Sequence, residues 1–259
     1  MNKPADKDEA RIEATKAPLM DHLIELRRRL VWSLVFFAIF FGAAFYFASD
    51  VFAFLMRPLA HEMHRPLIAT GLTETFFTYV KIGMFGGFFL GFPFIATQLW
   101  LFVAPGLYRQ ERRAFLPFLI SSPFFFILGA AFTFYVMLPY GIKFFLSYQT
   151  PGIEFEGRVS EYLDFVMKLI IAFGLTFQMP VVLGFLGRIG ILSSKQLRDA
   201  WRYAIVGIAG VTAVITPPDP FSMLSLLIPL IMLYGLSILS VMMFEKQRAL
   251  KDDATKAAT

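Results

Sequence analysis

The sequence predicts an all-α polytopic membrane protein with six transmembrane helices, both termini cytoplasmic, and short fifth and sixth helices. Composition is the first reason. Of 259 residues, 57% are hydrophobic and 32 are Phe, with a mean hydropathy of +0.64. A soluble domain has roughly 45–50% apolar residues even with Gly counted. Spacing is the second: apolar runs that match a ~30 Å hydrocarbon core recur between polar segments. Charge is the third. Lys and Arg number 7 in residues 1–29, 3 in 104–113, 4 in 188–202 and 4 from 245 onward, together 18 of 24. Six crossings return the chain to its starting side, and the side that gathers positive residues is cytoplasmic.

The same asymmetry accounts for the net charge of +5 without a nucleic-acid partner. With no Cys, disulfide and thiolate chemistry are excluded. Residues 1–17, rich in Lys, Asp, Glu and Ala, read as a mobile cytoplasmic tail, 18–245 as the membrane domain and 246–259 as a second tail. About thirty polar and charged residues precede the first apolar run, so a cleavable signal peptide is not expected.

Met20 to Leu30, MDHLIELRRRL, is an amphipathic helix: Leu19, Leu23, Leu26 and Leu30 share one face. The first apolar run follows, Leu30 to Ala48. Residues 50–75 are mixed, with Pro58, Pro66 and Gly71 expected to break any long helix. In the second run, about Val80 to Ala104, Gly83, Gly87 and Gly91 line one face and invite close approach of another helix. Pro93 should kink it. The loop APGLYRQERR leads to the third run, about Phe115 to Leu138, which contains Pro117 and Pro123. The fourth run, about Phe165 to Arg188, holds Lys168 near its start and Gln178 mid-way, just before Pro180. Beyond a basic loop, the fifth run, Tyr203 to Ile215, would be only ~20 Å long as a helix. It is expected to stand nearly upright, thin the bilayer or stop inside it. Thr216-Pro217-Pro218-Asp219-Pro220 turns the chain into the sixth run, about Phe221 to Phe244.

Catalytic signatures are missing: no GxxxxGK[ST] loop, no HExxH and no GxSxG. An enzyme is therefore not expected, nor a cofactor. His61 and His64 have i, i+3 spacing but no third ligand nearby, so no metal site is expected either. Few polar residues interrupt the runs, which argues against a proton relay.

Two carboxylates stand out, Glu25 and Glu111, each among arginines and two crossings apart, hence on one face. One reading is local charge balance, with Glu25 and Arg29 an ordinary i, i+4 pair. The other is a cytoplasmic site for a cationic peptide, since a carboxylate takes both prongs of a guanidinium and an ammonium has none to offer. Gln178 either satisfies itself on neighbouring helices or recognises a partner helix. Asp219 reads as a cap for the sixth helix and Glu74 as a helix-start residue. Trp32, Trp100 and Trp201 lie near the cytoplasmic boundary, where indoles anchor at headgroup level.

HLIELRRRL at 22–30, TETFFTYVKI at 73–82, QLWLFVAPGLYRQERR at 98–113, FGLTFQMP at 173–180 and TPPDPFS at 216–222 stand in one order across about residues 18–245. Together they resemble the TatC family of twin-arginine protein translocase subunits. The first and third segments are specific; the apolar filler is not. The resemblance implies a receptor for twin-arginine signal peptides, with Glu25, Arg27 and Glu111 in the recognition patch. It also implies single-span TatA and TatB partners, transport of folded proteins driven by the proton motive force, and residence in the bacterial inner membrane. Gln178, Thr216 and Asp219 are the expected partner-helix contacts. Two departures matter. Gln178 stands where the family often has an acidic residue, and Met223 where a polar one is common four positions after the aspartate of the turn. The rival classes are a small-solute transporter, which requires a midplane polar site and inverted repeats, and an intramembrane hydrolase, which requires a nucleophile–base set.

Overall fold

The computed structural model describes residues 5–62, 67–69, 71, 73–103, 112–147, 157–215 and 220–257. Among them the architecture is all-helical: α1 Ala5–Tyr46, α2 Ala48–Glu62, α3 Glu74–Val103, α4 Arg112–Phe132, α5 Leu138–Leu146, α6 Val159–Thr176, α7 Met179–Arg188, α8 Ser194–Asp199, α9 Trp201–Ile215 and α10 Pro220–Ala257. A π-turn, Thr133–Met137, joins α4 to α5.

Five stretches of the described chain are long and apolar enough to cross a bilayer: His22–Tyr46, Glu74–Val103, Leu116–Leu146, Val159–Arg188 and Leu226–Gln247. A shorter apolar helix, Trp201–Val214, stands in the fifth position. The expected short fifth helix is therefore present, at 15 residues. The expected short sixth is not. α10 runs for 38 residues because its Lys-, Ala- and Arg-rich tail consists of good helix formers that carry on beyond the apolar stretch. The same propensity starts α1 at Ala5, far ahead of the apolar run.

Proline shapes the rods in two ways. Pro58 lies inside α2 instead of ending it, buried against neighbours, and the helix runs on for about one more turn. Pro180 is placed where a proline costs least, in the first turn of α7, so the fourth apolar run breaks at Phe177–Gln178 into two helices. At the wide π-turn, Thr133 Oγ donates to Gly129 O at 2.9 Å and takes up a carbonyl there.

Small residues set the packing. α1 lies along α3, and a Cβ at Gly87 would stand 2.7 Å from Phe41 Cα, one at Gly86 2.7 Å from Ala44 Cβ. α4 packs on α6 through Gly129 and Gly174, and α7 on α10 through Gly187. Ile82, Leu163, Val166 and Val241 are sealed in the core, and Phe92 stacks on Phe126 with centroids 3.7 Å apart. Ile120, Phe124, Val206 and Val214 point outward as an apolar surface that suits lipid.

One end of the bundle carries the α1 motif. At the opposite end, polar links fasten the helix tips. Ile68 pairs with Arg158 in a short parallel bridge. The Glu74 carboxylate accepts from Ser160 Oγ (2.6 Å), Ser160 N (3.3 Å) and Gly71 N (3.2 Å). It thus serves the free N–H groups at the start of α6 as well as its own turn. Lys81 bonds both oxygens of Asp164, at 2.9 and 2.7 Å.

Candidate functional site

The site is built on α1 where it meets the end of α3. His22, Glu25 and Arg29 follow i, i+3, i+7 spacing, so one helical face presents all three. The His22 ring stacks on Phe102, centroids 4.4 Å apart. Arg29 Nη2 donates to Glu25 Oε1 at 3.1 Å, and Arg29 Nη1 donates to Gln98 Oε1 at 3.2 Å. Arg29 Nε is buried without an acceptor among the described residues. The two charged side chains are about one-quarter exposed, 28% for Glu25 and 24% for Arg29, so solvent reaches the pair. Arg27 is exposed.

These contacts fix α1 against the end of α3, which closes at Val103, one residue beyond Phe102. Glu111 itself lies outside the described residues, as do Thr216 and Asp219. The i, i+4 reading of Glu25 with Arg29 is realised. Sequence reasoning singled out neither Gln98 nor His22. The signal for His22 was its register with Glu25 and Arg29; for Gln98 it was a polar residue one turn before the loop in an otherwise apolar stretch.

A second polar cluster begins two residues further along α3. Trp100 Nε1 donates to Ser122 Oγ at 2.9 Å, Ser122 Oγ donates to Gln178 Oε1 at 2.8 Å, and Gln178 Nε2 donates to Ser122 O at 2.9 Å. Gln178 is thus satisfied on a neighbouring helix at the α6–α7 break. Trp100 is only 7% exposed, whereas Trp32 and Trp201 are about half exposed. The headgroup-anchor expectation therefore fails for Trp100, because Ser122 inside the bundle receives its N–H. Among the described residues no three His, Asp or Glu side chains gather where a metal would sit.

Comparison with known proteins fits this arrangement. A family model described as Sec-independent protein translocase protein (TatC) matches residues 21–229. The curated TatC of Magnetococcus marinus is 43% identical over 245 residues, covering 93% of this chain and 90% of that protein. The TatC of Escherichia coli K12 is 36% identical over 223 residues, covering 85% and 86%. A solved structure described as the crystal structure of the twin-arginine translocase receptor TatC superimposes with a TM-score of 0.79 at 38% identity, covering 86% of this chain and 99% of that one. The long apolar helices and these matches make the chain a multi-pass membrane protein and a transport component, not an enzyme. It belongs to the TatC family of Sec-independent protein translocase subunits.

Proposed function

We propose that this subunit is the receptor and core of a twin-arginine translocase in the bacterial inner membrane. Six spans, counting the short α9 as the fifth, leave both termini in the cytoplasm, and the clustering of Lys and Arg at the motif end supports that orientation. Glu25, Arg27 and Glu111 form the cytoplasmic patch for the consecutive arginines of a cargo's signal peptide. The apolar part of the signal then inserts along the helices.

The observation that carries the reading is the placement of Glu25. It is partly buried on a face locked to α3, one helical turn from the His22–Phe102 stack. A partly buried carboxylate strengthens a guanidinium bond over one made in open water. TatA and TatB helices dock on the flank of Gln178, Thr216 and Asp219. Gln178 spends its carbonyl and one amide hydrogen on Ser122, which leaves one amide hydrogen for a partner. As a Gln it supports docking only by hydrogen bonding, not by titration. Transport draws on the proton motive force, in keeping with a sequence without a phosphate loop.

The test is binding of a twin-arginine signal peptide, by crosslinking, to the native chain and to Glu25→Ala and Glu111→Ala variants. Each substitution should weaken capture about tenfold or more, the scale of one lost charge-assisted bond. Undiminished capture by both variants overturns the reading.

A further inference from the structure

The geometry points to Arg29 as a resident competitor for the ligand's guanidinium and as a determinant of arginine-over-lysine selectivity. The inference rests on the receptor reading of Glu25 given above. Arg29 offers Glu25 the same chemical group that a twin-arginine ligand would bring, and holds it by a single prong at 3.1 Å. Its other terminal nitrogen is drawn away to Gln98 at 3.2 Å, and its Nε finds no acceptor among the described residues. The guanidinium is thus split between a charged and a neutral partner and makes no bidentate bond with either. The Glu25 carboxylate is filled, but filled poorly.

That arrangement sets a threshold. A ligand arginine that faces Glu25 squarely replaces one bond with a parallel pair, the stronger geometry. Gln98 keeps hold of the displaced Arg29, so its charge is not left without a polar contact. A ligand lysine offers one-point contact only, the same kind that Arg29 already makes. Arg29, tethered four residues away on the same helix, has the advantage of high local concentration and wins that exchange. Positive charge from Arg27 and Arg28 raises the threshold for any cation, but cannot tell a fork from a point charge.

The experiment measures binding of two signal peptides, identical except for Arg-Arg against Lys-Lys, to the full chain in lipid nanodiscs. The proteins are the native chain, Arg29→Gln, Arg29→Lys and Glu25→Ala, with a thermal midpoint recorded for each. Arg29→Gln should bind the arginine peptide about twofold tighter and the lysine peptide about fivefold tighter, the scale of freeing a solvent-reached i, i+4 ion pair. The selectivity ratio should therefore fall, an effect that a merely structural role would not produce. Arg29→Lys should lie between. An unchanged ratio in Arg29→Gln, or equal weakening of both peptides, overturns the inference while leaving the receptor reading intact. If Arg29→Gln does not fold, the Arg29→Lys ratio decides, and an unchanged value there is equally fatal. A native chain without preference for the arginine peptide, or a Glu25→Ala chain that binds as well as the native one, removes the receptor reading and this inference with it.

Discussion

Gln98 and Trp100 stand two residues apart on α3, yet lead into opposite kinds of polar cluster. Gln98 joins a charged set, Arg29 and Glu25, about one-quarter exposed and with bonding capacity to spare. Trp100 joins a neutral set, in which Ser122 accepts from the Trp100 N–H, donates to the Gln178 carbonyl and receives one Gln178 amide hydrogen on its own carbonyl. Buried neutral hydrogen bonds reward one arrangement and penalise its loss, so they specify how helices pack. Exposed charged pairs contribute little to packing, and their groups remain available to a ligand. The difference teaches where to look for recognition of a cationic ligand: at the charged cluster that solvent reaches.

Substitutions test that separation, taken here in order of stability cost. Gly87→Val should be the most damaging. Its Cβ would sit 2.7 Å from Phe41 Cα and 2.8 Å from Phe41 N, backbone atoms that cannot swing aside. We expect a loss of about 3 kcal/mol by thermal or denaturant unfolding, together with loss of signal-peptide binding as α1 leaves α3. Full-affinity binding by this variant would mean that the charged cluster does not depend on the α1–α3 seam. Ser122→Ala should cost about 2 kcal/mol, because the Trp100 N–H and the Gln178 carbonyl both lose their partner. Peptide affinity should stay within about twofold, as for a surface-neutral change; a tenfold drop would merge the two clusters into one. His22→Ala removes the stack on Phe102 and should lower stability by about 0.5–1 kcal/mol, visible as a small shift in thermal midpoint. Glu25→Gln should be almost silent in stability, within about 0.5 kcal/mol, while peptide affinity falls about tenfold. A stability loss as large as that of Ser122→Ala would make Glu25 a structural residue.

Much of the bundle could be read from sequence because its causes are local. The apolar runs, the Gly83–Gly87–Gly91 stripe and the short fifth helix each follow from composition or spacing within one segment, and the stripe does meet α1. Where residues far apart in sequence share a contact, reading fell short. The buried state of Trp100 depends on Ser122, 22 residues on, and the hydrogen bonds of Gln178 on the same serine 56 residues before it. No pattern within a single helix encodes either. The length of α10 departs from the expected short sixth helix for another reason: apolar period marks the lipid boundary, whereas helix propensity continues through polar residues. At the candidate site, the Glu25–Arg29 pair was legible from its i, i+4 spacing. Its tether to Gln98, 69 residues away, was not.

Glu74 imposes an order on biogenesis. Its carboxylate waits for Ser160, 86 residues downstream. At ~5–20 residues per second of synthesis, the acid stands without that partner for about 4–17 s after it emerges. Throughout that interval the Glu74–Ser160 link at the far tip of the second span is unmade, and the arrival of the fourth span makes it. A ribosome stalled between these two positions would leave a nascent chain without the Glu74–Ser160 link.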